Sequence, residues 1–267
     1  MLCHAMENAR LGLSWSCYAT YPQLSDPLVN AMATAGCTEV FSGIDAVGTR
    51  AERAFRKAFL RGKTPLAVKT RLLLDAGITP TYAFLLSPPS HPAGGDIATT
   101  AVAALEARRC GAEVILNPLN LYSGTRAQLA CAPAYVADDR QVRLLMDVPE
   151  IVADNPFASQ HPGMFPFHSR YVAEREWHDF LALSHCLSTL ITTYPKTMAS
   201  LLEACGVDPV QVAEKTLQRF TDWPRLKDVE VRRFEQDAGF FTLEEFALGP
   251  SLSAALEHER TSAGAEY

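Results

Sequence analysis

The chain has 267 residues, 48% of them hydrophobic, and a formal net charge of −6 from 24 basic and 30 acidic side chains. That is enough chain for one large α/β domain or a half-barrel with a helical appendage, and the interspersed charges leave no basic stripe of the kind that binds nucleic acid. No apolar run is long enough to span a bilayer; the seven cysteines are odd in number and irregularly spaced, and Met1–Arg10 holds no apolar signal core, so a soluble protein of the reducing cytoplasm is expected.

The first predicted element is a strand over Leu11–Cys17, uncharged and apolar. Asp26–Ala35 places Leu28, Val29 and Met32 at helical spacing and ends near Gly36, a natural helix stop. Thr38–Ile44 reads as the second strand and Arg50–Leu60 as a helix with Ala54, Phe55, Ala58 and Phe59 on one face. Thr64-Pro65 has the pattern of a cap followed by proline at the first helical position, opening a helix that runs to Gly77. Thr81–Leu86 is the third strand, Ile97–Arg109 an alanine-rich helix stopped by Gly111, and Glu113–Leu116 the fourth strand. Strands alternating with helices of this length predict a parallel sheet with right-handed crossovers. Such sheets bind ligands at the C-terminal ends of their strands, here Ser42–Thr49, Ser87–Asp96 and Asn117–Thr125.

From about Ala132 the alternation stops. Helices are predicted over Trp177–Thr193, Met198–Cys205 and Val210–Phe220, followed by a polar tail from Leu252. The expected division is residues 1–131 for the α/β part, 132–251 for a mostly helical region and 252–267 for the tail.

Five stretches in order carry a resemblance. Phe41-Ser42-Gly43-Ile44-Asp45 resembles a strand-end "GVES" stretch. Phe55–Thr64, with Lys57 and Arg61-Gly62-Lys63-Thr64, resembles "LKxxxRGxT", and Leu72–Ile78 resembles "LLxxAGI". Tyr82–Pro89 is similar to "SFIxGLPGE". Asn117-Pro118-Leu119 with Tyr122-Ser123-Gly124-Thr125 is similar to "PLxPYPGT". Together they make the segment from Gly36 to Thr125 resemble the second half of a radical S-adenosylmethionine barrel. The resemblance implies a fold of class α/β: a partial (β/α)6, TIM-like half-barrel followed by a mostly helical C-terminal region. It implies reductive cleavage of S-adenosylmethionine to a 5′-deoxyadenosyl radical that attacks a small-molecule substrate. It also implies a [4Fe–4S] cluster. The long helix before Tyr194-Pro195 is similar to the tail of cobalamin-dependent members, which adds cobalamin as a cofactor of the parent family.

Two departures stand beside it. Ser87-Pro88-Pro89-Ser90-His91 replaces "GLPGE", with proline where glycine allows close backbone approach. The CxxxCxxC loop, whose three thiolates hold three irons of the cluster, does not occur; Cys3 and Cys17 are 14 positions apart. With Leu11–Cys17 as third barrel strand, the first two strands and the cluster loop are expected upstream of Met1, and the chain alone is expected to be inactive. A separately encoded N-terminal half is the partner this implies. A non-catalytic subunit, or an unrelated α/β enzyme with a phosphate- or sugar-type ligand at the strand ends, remains the alternative.

By the resemblance, the cofactor-binding positions are Ser42, Gly43, Asp45, Leu85, Leu86, Ser87, Asn117, Leu119 and Asn120, and the substrate-facing ones are Tyr122 and His91. Read from the residues alone, Asp45 either accepts from a ribose hydroxyl or caps a turn. Ser42 is a ligand contact or a small residue in a tight strand, and His91 is an acid–base or ligand group or part of a rigid surface loop. Asn117 and Asn120 either line the cavity or serve plain turns. Tyr122 faces substrate or lies half-buried with a wet hydroxyl. No residue is assigned as catalytic and no metal ligand is assigned. Of His161, His168, His178 and His185, the last two share a helical face but stand seven residues and about 10 Å apart. Cys186 and Cys205 read as core thiols.

Overall fold

A computed structural model describes residues 2–9, 12–55, 65–91, 94–119, 121 and 172–219. Its elements run α1 (Leu2–Asn8), β1 (Trp15–Tyr18), α2 (Asp26–Thr34), β2 (Cys37–Asp45), α3 (Thr49–Phe55), α4 (Leu66–Asp75), β3 (Thr79–Leu86), α5 (Ile97–Arg109) and β4 (Glu113–Pro118). Three helices follow: α6 (Glu174–Thr193), α7 (Pro195–Cys205) and α8 (Pro209–Arg219). Short 3-10 turns lie at Tyr21–Gln23 and Gly94–Asp96.

The local chemistry explains these boundaries. Asp26 and Pro27 open α2, the acid facing the helix's positive end. Val29 and Met32 turn inward, and the chain reverses at Gly36 (φ +88°), where a Cβ would collide with the carbonyl of Leu13. The Thr64-Pro65 expectation shifts by one residue: Pro65 is itself the N-cap, in extended conformation (ψ 150°), and α4 begins at Leu66. The first strand is shorter than the uncharged run that announced it, because pairing with β2 starts only at Trp15.

The four strands are all parallel, in the order β1-β2-β3-β4. Consecutive order with right-handed crossovers puts the connecting helices on one side of the sheet. Alternation along the strands sorts the side chains accordingly. Val40, Ser42 and Ile44 on β2, Tyr82, Phe84 and Leu86 on β3, and Val114 and Leu116 on β4 are buried. Tyr82 marks this as the helix side, since its hydroxyl accepts from Thr70 Oγ1 on α4 at 3.3 Å. The opposite face carries Tyr18, Phe41, Gly43, Ala83, Leu85, Ile115 and Asn117, and is more exposed. Tyr18 and Phe41 pair there with ring centroids 4.8 Å apart.

Two apolar clusters hold the molecule. The smaller joins Val29 and Met32 of α2, Val40 of β2 and Leu73 of α4. The larger runs from Phe84 and Leu86 through the alanines of α5 to Trp177, Leu187, Met198 and Val212 on α6, α7 and α8. Small alanine side chains let α5 lie close to β3 and β4, and each fully buried leucine such as Leu105 or Leu187 contributes about 1.5–3 kcal/mol. The late helices therefore complete the core of the sheet. The expected boundary at 131/132 and the tail 252–267 lie outside the described residues, as do residues 56–64. No described helix is long and apolar enough to cross a membrane.

Candidate functional site at the strand ends

The C-terminal ends of β2, β3 and β4 are brought side by side by the register. Leu85 and Leu86 of β3 lie opposite Asn117 and Pro118 of β4. Phe84 lies opposite Asp45 of β2. Asp45, Leu85 and Asn117, far apart in sequence, thus line one rim. Leu119 extends it, its amide donating to the Leu86 carbonyl at 2.6 Å.

The end of β2 is irregular. Gly43 faces Ala83, but Asp45 already faces Phe84, so Ile44 and Asp45 together span one step of β3. Such a bulge re-aims a side chain. Asp45 is the one non-glycine among the described residues with positive φ, at 63°. A left-handed backbone costs an ordinary L residue about 1–2 kcal/mol, less for aspartate, which tolerates it best with asparagine. The result is that Asp45 folds back over Gly43: a Cβ at residue 43 would stand 3.7 Å from Asp45 Oδ1. The carboxylate is set on the face opposite the helices, at the rim.

The neighbouring loops are tied to one another. Asp96 immediately precedes α5 but makes no side-chain cap for it. Its Oδ2 instead accepts from Ala51 N of α3 at 2.7 Å. Thr100 Oγ1 accepts from Val47 N at 3.0 Å and donates to Val47 O at 3.2 Å. Gly94 packs so tightly on the Pro88 carbonyl that any side chain there would collide with it. His91 N donates to Pro88 O (2.9 Å), Gly94 N to His91 O (2.8 Å), and Ser90 N to Glu176 Oε1 of α6 (2.9 Å). The rim is thus held rigidly by contacts from α5 and α6.

The sequence-derived residues fall into distinct places within this frame. Gly43, Asp45, Leu85, Leu86, Ser87, Asn117 and Leu119 gather along the rim. Leu86 is buried on the helix side, so it can offer a ligand only its backbone. Ser42 is fully buried on the helix side and its hydroxyl donates to Ala19 O at 2.8 Å, turned away from Gly43. His91 is 8% exposed, and burial holds its imidazole below the ordinary value of 6.5. Ser87 is 2% exposed, and its Oγ meets no hydrogen-bond partner. Asn120 and Tyr122 lie outside the described residues, as do His161 and His168. The contributions of Asp96, Thr100 and Glu176 were not foreseen; aspartate directly before a helix suggests a cap, but not one for another helix.

Away from the rim, a shallow groove between α2 and α4 is lined by Leu24, Asp26, Lys69, Arg71 and Asp75. Lys69 is already engaged, donating to Tyr21 O at 2.6 Å above the Tyr21 ring. The rim has the better claim to chemistry: an unsatisfied buried hydroxyl and an aspartate with left-handed backbone on adjoining strands. Among the described residues, no group of three or more His, Cys, Asp or Glu side chains is arranged to hold a metal ion. Cys3, Cys17 and Cys37 are neighbours, with Cys17 and Cys37 hydrogen-bonded. Burial, with the Cys17 charge next, pushes the Cys37 thiol up to about 11.

No family model matches the sequence, and no curated protein matches it. Among solved structures, a radical S-adenosylmethionine methyltransferase, TsrM from Kitasatospora setae, with cobalamin and a [4Fe–4S] cluster bound, is similar at 18% identity and a TM-score of 0.40. The similarity covers 52% of this chain and 30% of that one, so the chain spans less than a third of that protein's length.

Proposed function

We propose that the rim of β2, β3 and β4 is the S-adenosylmethionine-binding part of a radical S-adenosylmethionine protein. Asp45 carries the reading. It ends the stretch that resembles the family's ribose-approaching strand, and it is the residue that the bulge and positive φ turn over the rim. Two further stretches of the resemblance, Tyr82–Pro89 and Asn117–Leu119, end on the adjoining strands. Support therefore comes from order in sequence and adjacency in space together.

In this reading Asp45 accepts hydrogen bonds from the ribose hydroxyls. Leu85 and Asn117 flank the nucleoside, and the backbone at Leu86 and Leu119 closes the rim. A [4Fe–4S] cluster would supply the electron that cleaves the sulfonium bond. The described thiols do not fit it, since they lack the CxxxCxxC spacing. The proposal for this chain accordingly stops at binding and orienting the nucleoside. The partner it calls for is a polypeptide segment carrying the cluster loop, and the substrate is a small molecule admitted beside the rim.

The test is titration of the chain with S-adenosylmethionine by calorimetry, alone and with such a segment supplied. Loss of a charge-assisted hydrogen bond costs about 1.5–3 kcal/mol. Asp45→Ala is therefore expected to weaken binding about ten- to a hundredfold, whereas Arg175→Ala, on the exposed side of α6, leaves it unchanged. Equal effects from the two substitutions would remove Asp45 from the site.

A further inference from the structure

The start of β2 breaks alternation to the benefit of one side chain. Val40, Ser42 and Ile44 face the helices, so strict alternation would put Cys37 with Glu39 and Phe41 on the other face. Instead Trp15 pairs with Cys37 and Ser16 with Glu39, which leaves Thr38 as an extra residue in β2. Such a bulge re-aims a side chain, and here it turns Cys37 into the apolar cluster formed with α2. The Thr38 hydroxyl patches the interrupted ladder, donating to Trp15 O at 3.4 Å. Cys37 thereby reaches Cys17 of β1, to which it is hydrogen-bonded. The cluster around the pair is apolar or soft, and includes the buried thioether of Met32 on α2 and Cys3 on α1.

We propose that Cys17 and Cys37 form a two-coordinate site for a single soft monovalent cation, Cu(I). The two thiols are offset along the sheet, since Cys17 lies two residues beyond Trp15, the register partner of Cys37. At about 6.6 Å along the strand and about 4.8 Å across, their Cα atoms stand about 8 Å apart. A disulfide needs less than about 7 Å and cannot close here without moving a strand. An ion held between the sulfurs suits the wider spacing, because it parts them by roughly twice a metal–sulfur bond of about 2.3 Å. Soft sulfur donors favour Cu(I), zinc and iron–sulfur clusters. Zinc and the clusters take larger ligand sets, and the described residues offer no such set. Binding breaks two S–H bonds, forms two S–Cu bonds and releases two protons to solvent, with no change of oxidation state. Cys17 is half-buried, which gives the ion a way in and keeps part of the net negative charge hydrated. The site lies at the end of β2 opposite the rim and is independent of the nucleoside reading.

The experiment titrates the full, reduced chain with Cu(I) in the absence of oxygen, against a competing chromophoric chelator. One equivalent is expected to bind more tightly than any other. It should release two protons and raise the melting temperature, because the ion binds the folded chain. Cys17→Ser and Cys37→Ser should each abolish that equivalent and the rise in melting temperature, while Cys110→Ser keeps both. If Cys37→Ser does not fold, Cys17→Ser, at the half-buried position, decides. A tight equivalent that survives Cys17→Ser, or that is lost with Cys110→Ser, would overturn the site. Displacement of the bound ion by equimolar Zn(II) would do the same. So would a Cys17–Cys37 disulfide formed in the folded chain by glutathione disulfide, since the pair would then be a redox device.

Discussion

Asp45 and Ser87 each keep a local cost that an ordinary fold would remove, one in its backbone and the other in its hydroxyl. Both lie on one rim, which is where strain and unsatisfied groups acquire a use. His91 differs in kind, since its cost depends on pH. Burial lowers its folded pKa below the 6.5 of an exposed histidine. Between the two values the unfolded chain binds more protons than the folded one, so stability rises with pH in that window. The contribution is complete above 6.5 and is lost as pH falls from there through the folded value. Melting temperatures between pH 7.5 and 5 should therefore fall more steeply for the wild type than for His91→Gln, which cannot ionise. Parallel slopes would mean that the imidazole is as exposed in the folded chain as in the unfolded one.

Among the elements, α5 does more than cover the sheet. Its first turns hold the β2–α3 connection through Asp96 and Thr100. Asp96→Ala removes a cap from α3 and should cost about 0.5–2 kcal/mol, read as a lowered midpoint in urea with unchanged slope. Because the same carboxylate fixes the loop after Asp45, the substitution should also weaken S-adenosylhomocysteine binding several-fold; an unchanged midpoint would show that the Asp96 contact is not formed. Elements such as α2 and α5 were legible from helical patterning and from stops at Gly36 and Gly111, both with positive φ. The contacts between loops were not legible, because hydrogen bonds such as Ala51 to Asp96 join residues 45 positions apart. Nothing in local composition marks that pairing.

Over the whole molecule, strand order could be read from the βα rhythm because parallel strands joined by short helical crossovers have few arrangements. The side on which each strand residue falls was readable from alternation up to Gly43. It then failed, because a bulge shifts the parity at Asp45 and sequence gives no register. Ser42 differs: the resemblance placed it among the cofactor positions, and its side chain is buried on the helix side, donating to Ala19 O. Among the described residues, the helices and main core lie on one side of the sheet, and three consecutive strands end at one rim. On the proposed reading this rim, and not the groove between α2 and α4, takes a nucleoside. Amide chemical-shift mapping with S-adenosylhomocysteine tests it most directly. Shifts are expected to concentrate at residues 43–48, 85–91 and 117–119, with Leu24, Asp26 and Arg71 unmoved. Shifts centred on α2 and α4, or a saturating ligand that moves neither set, would contradict it.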